Sequence, residues 1–328
     1  MLTRRRLLAL SAAAASMPDF SGRAAFAQPP SGWPNRAVHM IVPIAPGGPT
    51  DTVARILAEQ LSKSWGQQIV IENKAGGGTN IGNEFVAHSD PDGYTMLYGT
   101  SSLAVNAALY RSLGYDPIVD LAPASLVAKF PFFMFVPNSS PAKTVAEFVT
   151  YARAHPGKLV MGSPGTGSGP HLAEEYFLQM AKLQMTHAPY RGAAPAFIDL
   201  IPGRIDCYFG SGELLTYSRS GQVRALATTG AQRSPAEPEL PTVAEAGLPG
   251  YAVDSWHGVF VPAKTPPEIV NKISADIVAA LADAEVKDKL ARAAYAAQGS
   301  TPDQLRRFLQ TDAAKWGAIV KTANITIE

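Results

Sequence analysis

The segment VHMIVPIAPGGPTD, residues 38–51, predicts the class of the fold. Its first part, Val38–Val42, is a short β-rich run that stops at Pro43, since proline has no N–H group with which to continue a strand. A loop of small residues follows and leads into a helix with one apolar face. The apolar positions are Val53, Ile56, Leu57 and Leu61. A strand, a small-residue loop and a helix in this order form the basic unit of an α/β fold.

This unit recurs along the chain, with three predicted strands in each half. The further strands are predicted at 68–72, 94–98, 159–162, 185–188 and 205–209. Each of them runs into a loop of Gly, Ser, Thr or Asn residues. The two halves therefore predict an α/β protein of two lobes that are built alike.

Two longer predicted strands, 126–136 and 253–261, connect the lobes, and Pro131 interrupts the first of them. If both strands cross, lobe one consists of 34–128 plus 257–328, and lobe two of 129–256. Two C-terminal helices complete lobe one. Capping boxes with a threonine at the first position are predicted at Thr144, Thr265 and Thr301.

The N-terminus has the pattern of an export signal. Thr3-Arg4-Arg5-Arg6 precedes a short apolar run, and Ala25-Phe26-Ala27 offers a small-x-small cleavage site. The sequence thus predicts a signal peptide over 1–27, cleaved near Ala27-Gln28 and of the twin-arginine type, with the general secretory route as the alternative. The single cysteine, Cys207, is not at the cleavage point, so no lipid anchor is expected and the mature protein is placed in the periplasm.

Composition narrows the class of partner. The chain has 328 residues, a formal net charge of +1 and only 17% charged residues. Nucleic-acid binding, which needs a clustered basic surface, is therefore not expected. The length is typical of two domains, and we expect a monomer.

The small-residue loops predict an anion site. Ligands of open α/β sheets bind beyond the carboxyl ends of the strands, and the first turn of a helix offers N–H groups without internal partners. Glycine lets the backbone approach a ligand closely. The candidate ligand-binding residues are Ala45, Pro46, Gly47, Gly48, Thr50, Asp51, Gly78, Thr79, Asn80, Thr100, Ser101, Ser163, Gly165, Thr166, Gly167, Ser168, His171, Tyr190, Arg191, Gly192, Ala193 and Trp256.

Plain structural roles remain open for several of these residues. Asp51 has the position of a turn or helix cap, and Arg191 equally suits a solvated side chain. Tyr190 and Trp256 suit aromatic cleft walls, although a tryptophan on a connecting strand is as often a core residue.

Several ordered motifs carry a family resemblance. They are Trp33-Pro34, Pro46-Gly47-Gly48-Pro49-Thr50-Asp51, Glu72-Asn73-Lys74-Ala75-Gly76-Gly77-Gly78, Asp92-Gly93-Tyr94-Thr95, Pro189-Tyr190-Arg191-Gly192, Leu240-Pro241-Thr242-Val243-Ala244-Glu245-Ala246-Gly247 and Val261-Pro262-Ala263-Lys264-Thr265-Pro266. Together they resemble the Bug receptors, the substrate-binding proteins of tripartite tricarboxylate transporters. The resemblance covers essentially the whole mature chain.

The resemblance implies a type II periplasmic-binding-protein fold that closes around a small organic carboxylate, with membrane transporter subunits as partners and no cofactor. In the family, two loops hold the carboxylate through backbone and hydroxyl groups, and they match Ala45 to Asp51 and Ser163 to Ser168. Many relatives carry an acidic residue where Gly210 stands here. Its absence makes an ammonium-bearing ligand less favoured.

Other functions have weaker support. No P-loop, dinucleotide motif or Gly-x-Ser-x-Gly elbow is present. His171 with Glu174 or Glu175 is a weak basis for a metal site. Neither catalytic nor metal-binding residues are therefore predicted. A sensory receptor with a signalling partner needs the same ligand-bound shape and stays open, as does an inorganic-anion receptor.

Overall fold

The computed structural model describes residues 32–110, 112–190, 192–292, 294–323 and 325. The predicted signal peptide with its cleavage site, and Arg191, lie outside the described residues. Within those residues, no helix combines the length and the apolar composition needed to cross a bilayer.

The strands alternate with helices over most of the chain. The strands are β1 (Val38–Val42), β2 (Ile69–Asn73), β3 (Thr95–Thr100), β4 (Leu121–Pro131), β5 (Phe133–Pro137), β6 (Val160–Ser163), β7 (Thr186–Pro189), β8 (Cys207–Gly210), β9 (Val223–Thr228), β10 (Asp254–Pro262) and β11 (Ala296–Ala297). The helices are α1 (Pro49–Trp65), α2 (Asn80–Ala87), α3 (Ser102–Leu109), α4 (Val145–Ala154), α5 (Gly169–Ala181), α6 (Ala193–Leu200), α7 (Leu215–Arg219), α8 (Pro267–Ala282), α9 (Ala284–Arg292) and α10 (Pro302–Ala323).

The strands form two sheets of the same plan. The first has the order β11-β4-β10-β3-β1-β2 and the second the order β7-β6-β8-β5-β9. In each sheet three parallel strands are followed by one antiparallel strand, β10 in the first and β5 in the second. The α/β class predicted from the sequence is confirmed.

The connecting strands place the loops of both sheets on the same side. β5 begins at Phe133 opposite Gly210, the last residue of β8. Near its start, β10 pairs His257 with Thr100, the last residue of β3. The chain thus enters each sheet at the carboxyl ends of its parallel strands. The loops that leave those ends face the connection between the sheets.

The predicted crossing strand over 126–136 is in fact two strands. β4 starts earlier, at Leu121, and ends at Pro131, while β5 belongs to the second sheet. Pro131 has no N–H with which to extend the ladder. The N–H of Phe132 turns instead to Thr229, whose Oγ1 accepts it at 2.8 Å.

The capping predictions have mixed outcomes. Thr144 accepts a hydrogen bond from the N–H of Glu147 at 3.2 Å, and Thr301 exchanges hydrogen bonds with Gln304 at 2.9 and 3.2 Å. The capping box at Thr265 is wrong. Two prolines follow this threonine, α8 begins at the second one, and the buried Oγ1 of Thr265 has no hydrogen-bond partner among the described residues.

Candidate functional site

Asp51 shapes the first predicted loop, 45–51, and its side chain is almost fully buried. Its carboxylate accepts hydrogen bonds from the N–H of Gly47 at 3.0 Å, from Arg55 at 2.8 and 3.1 Å, and from Asn73 at 2.8 Å. Burial alone would raise the pKa of Asp51, but these hydrogen bonds outweigh it and lower the pKa to about 2. Asp51 is therefore ionised and engaged inside the protein.

The backbone of this loop faces outward. Ala45, Pro46 and Gly47 are exposed, and Gly48 is the N-cap of α1. Gly47 has a φ of 86°, in the left-handed region that favours glycine. The N–H of Thr50 lies in the first turn of α1, where a helix supplies no acceptor of its own. The loop is thus exposed, and its end carries first-turn N–H groups of α1 without acceptors inside the helix.

The side chain of Thr50 meets the connecting strand β10. Its Oγ1 lies 3.2 Å from Nε2 of His257, and Nδ1 of the same ring lies 3.1 Å from the hydroxyl of Tyr98. His257 and Tyr98 are fully buried, whereas Thr50 is only partly buried. Burial lowers the pKa of His257 to about 3, so the ring is neutral at pH 7.

Neighbouring side chains of β10 lie on opposite faces of the strand. Ser255, on the same face as His257, has its Oγ 2.9 Å from that of Ser101 at the end of β3. Trp256 faces the opposite side, is fully buried, and donates its indole N–H to Asp312 at 2.8 Å. Trp256 therefore occupies the core position that the sequence left open as the alternative to a cleft wall.

Four predicted residues come together beside α3. They are Gly78, Thr79, Asn80 and Thr100. The Oγ of Ser102 lies 2.7 Å from that of Thr79 and 2.6 Å from that of Thr100. Nδ2 of Asn106 donates to the carbonyl oxygen of Gly78 and to Oδ1 of Asn80, both at 2.8 Å. This network fixes the loops after β2 and β3 to each other.

In lobe two, Ser163 lies below the second predicted loop, 163–168. Its side chain is fully buried, and its Oγ is 2.7 Å from Nε2 of His187 and accepts the N–H of Gly165 at 3.2 Å. Burial, together with the nearby His171, lowers the pKa of His187 to about 4. The Ser163 hydroxyl therefore orders the loop from beneath, from a fully buried position.

His171 and Ser168 hold the same loop from the start of α5. Nδ1 of His171 accepts the N–H of Gly167 at 3.1 Å. Ser168 donates its hydroxyl to the carbonyl oxygen of Gly165 at 2.7 Å and caps α5 by accepting the N–H of His171. Both imidazoles and both serines thus make hydrogen bonds that hold the loop. Thr166 lies at its tip and is exposed.

The remaining predicted residues of lobe two lie at the end of β7 and the start of α6. The Tyr190 hydroxyl donates to Asp199 at 2.9 Å, so it points along α6. The N–H of Gly192 donates to the carbonyl oxygen of Pro164 at 3.0 Å, which ties this turn to the second loop. Ala193 begins α6 and is partly exposed.

The N-terminus of α5 in lobe two lies next to residues of lobe one. A Cβ on Gly169, the first residue of α5, would lie 3.0 Å from the ring of Phe132 and 4.0 Å from Oγ of Ser101. Phe132 separates β4 from β5. The second loop of lobe two therefore starts its helix directly above the connection, next to the end of β3 in lobe one.

The gathered groups suit a carboxylate. The arrangement offers hydroxyls of Thr50, Ser101 and Ser255 and first-turn N–H groups, while the imidazoles of His187 and His257 are neutral at pH 7. A helix N-terminus favours an anion by about 0.3–2 kcal/mol, depending on burial. Across the described residues, no group of three or more His, Cys, Asp or Glu side chains is placed to hold a metal ion.

Several residues of the site were not predicted from the sequence. They are Tyr98, Gly169, His187, Ser255 and His257. Ser255 and His257 carried a usable signal: they flank Trp256 on a predicted strand, and alternation puts both on the face opposite the tryptophan. His187 and Tyr98 carried none, because their partners are distant in sequence.

One groove of the described surface does not include the two predicted loops, 45–51 and 163–168. It has a volume of about 950 Å³ and runs along α2, where it is lined by His39, Glu84, Phe85 and Tyr94.

Comparison with known proteins gives a family. Residues 53–325 match the model of the tripartite tricarboxylate transporter family receptor, TctC. This match spans most of the chain and includes both lobes.

Solved structures with the same fold agree. Rpa4515 of R. palustris with adipate has a TM-score of 0.81 and 37% identity, and the match covers 90% of this chain and 99% of that one. The periplasmic binding protein BugD has a TM-score of 0.79 and 31% identity, covering 90% and 100%. MatC (Rpa3494) from Rhodopseudomonas palustris with bound malate has a TM-score of 0.77 and 32% identity, covering 88% and 100%. The predicted resemblance to Bug receptors is confirmed.

Proposed function

The chain belongs to the tripartite tricarboxylate transporter receptor family, and we propose that it captures a small organic carboxylate between its lobes without chemical conversion. The ligand is a mono- or dicarboxylate with an aliphatic or aromatic body. The relatives with known structures support a binding role, since two of them were solved with adipate and with malate, both dicarboxylates.

One observation carries the proposal for this chain. Gly169, at the start of α5 in lobe two, approaches Ser101 in lobe one, with Ser255 and the Thr50–His257 pair alongside. We infer from this that donors of both lobes face one space, and none of these side chains carries a charge. A carboxylate accepts hydrogen bonds on both oxygens and matches such a set.

We propose the remaining features of the receptor on the same basis. Lobe one comprises 34–128 plus 257–328 and lobe two 129–256, and the lobes close on the ligand. The mature chain starts near Gln28 after export to the periplasm, acts as a monomer, and delivers its ligand to the membrane subunits of a tripartite tricarboxylate-type transporter. Arg191 and Tyr190 remain candidates for the wall that contacts the ligand body.

Thermal-shift measurements on residues 28–328 test the ligand class. The panel contains adipate, malate, benzoate, phthalate, phosphate and sulfate, and calorimetry follows for every compound that raises the Tm. A ligand at 100 times its Kd stabilises the folded protein by about 2.7 kcal/mol. We expect at least one carboxylate to do so. A response to phosphate or sulfate alone would contradict the proposal and favour an inorganic-anion receptor.

A further inference from the structure

The buried pair Tyr98–His257 lies next to the hydroxyl of Thr50. The fold alone does not explain why this pair is polar. Tyr98 and His257 are fully buried, and the imidazole is enclosed by the rings of Tyr98, Phe130 and Tyr295 at centroid distances of 5.0 to 5.5 Å. A purely apolar side chain would fill such a cage equally well. The two ring nitrogens, however, both meet hydroxyl groups.

The direction of these hydrogen bonds follows from the burial of Tyr98. Burial raises its pKa, so the phenol keeps its proton. Among the described residues, the hydrogen-bond contact of this hydroxyl is Nδ1 of His257 at 3.1 Å. A buried donor without an acceptor costs about 1–3 kcal/mol. Tyr98 therefore donates to Nδ1, and the single proton of the neutral ring resides on Nε2.

The proton on Nε2 determines the direction of the hydrogen bond between His257 and Thr50. Nε2–H donates to Oγ1 of Thr50 across 3.2 Å, which occupies a lone pair of that oxygen. The hydroxyl hydrogen of Thr50 then remains for an acceptor in the cleft.

We propose that His257 is a positioning residue that fixes the Thr50 hydroxyl as a hydrogen-bond donor to the bound carboxylate. The inference rests on the proposed function and adds a basis for selectivity. A carboxylate oxygen accepts the hydrogen of Thr50, whereas an ammonium group in the same place meets a donor and is disfavoured.

The tautomer is measured first, on the ligand-free protein. Spectra of ¹⁵N-histidine-labelled protein at pH 7 distinguish a protonated from an unprotonated ring nitrogen, and His257→Asn identifies the signals of His257 among the six histidines. We expect a protonated Nε2 and an unprotonated Nδ1. The reverse pattern overturns the proposal, whether or not any carboxylate binds.

A double-mutant cycle with adipate as the probe tests the coupling. His257→Asn places an amide oxygen where Nδ1 accepts from Tyr98, but it does not reach Thr50. We expect the adipate Kd to rise about tenfold in His257→Asn and in Thr50→Val, and Thr50→Val/His257→Asn to bind no more weakly than Thr50→Val. His257→Gln, whose amide reaches the position of Nε2, restores part of the affinity.

Additive losses in the double variant would overturn the proposal, because His257 would then act independently of Thr50. If the wild-type protein binds none of the carboxylates of the thermal-shift panel, the proposed function fails, and the tautomer measurement still decides the hydrogen-bond direction.

Discussion

At the scale of the residue, Asp51 connects the stability of the protein to the shape of its first loop. Its folded-state pKa of about 2 lies below the ordinary value of 3.8. A carboxyl group with a depressed pKa stabilises the fold above its unfolded-state pKa, and this contribution is lost as the pH falls from about 4 towards 2. The buried carboxylate therefore favours the fold at neutral pH.

We predict that Asp51→Asn lowers the free energy of unfolding by about 1–3 kcal/mol at pH 7, because the new amide group turns a donor towards Arg55 or the N–H of Gly47. Urea denaturation at pH 7 and again below pH 4 measures the effect, and the difference from wild type should narrow at the lower pH. Glu59→Gln, in the exposed pair with Lys63, is the matched control and should stay close to wild type. A difference that is independent of pH would contradict this account.

At the scale of the element, two helix starts with similar sequences behave differently. Thr301 caps α10 with Gln304, whereas Thr265 stands one residue too early for α8 because a second proline delays the helix. We predict that Thr301→Val destabilises the protein by about 0.5–2 kcal/mol. Thr265→Val should be neutral or stabilising, since it removes a buried hydroxyl without a partner in the described structure. Thermal unfolding of both variants checks this, and equal losses would contradict it.

The same helix starts show which features of the fold local sequence patterns determine. Local patterns suffice for the strand–loop–helix units, because periodicity and proline positions act over a few residues. They fail where one residue of register decides, as at Thr265, and where a strand changes sheets, as at Pro131. The loops of the candidate site were predictable from their glycines and hydroxyls. The buried side chains of His187 and Tyr98 were not, because their hydrogen-bond partners Ser163 and His257 are distant in sequence.

At the scale of the whole molecule, the connection between the sheets lies directly beneath the candidate site. Phe132, between β4 and β5, packs against Gly169, and its N–H is held by Thr229. The return path enters β10 at Asp254, and Ser255 and His257 follow at once. A rotation about this connection would change the distance between the first loop and the start of α5, while each sheet stays intact.

We therefore predict that ligand binding closes the lobes as rigid bodies. Small-angle scattering of residues 28–328 should give a smaller radius of gyration at saturating adipate than without it. Thr50→Val, measured at an adipate concentration that saturates the wild type but not the variant, is the control and should change less. A wild-type profile that is identical with and without adipate, while calorimetry shows full occupancy, would mean that the site is preformed. In that case the donors of the two lobes must already stand at their binding distance in the free protein, and the connection at Phe132 would serve as a rigid support and not as a hinge.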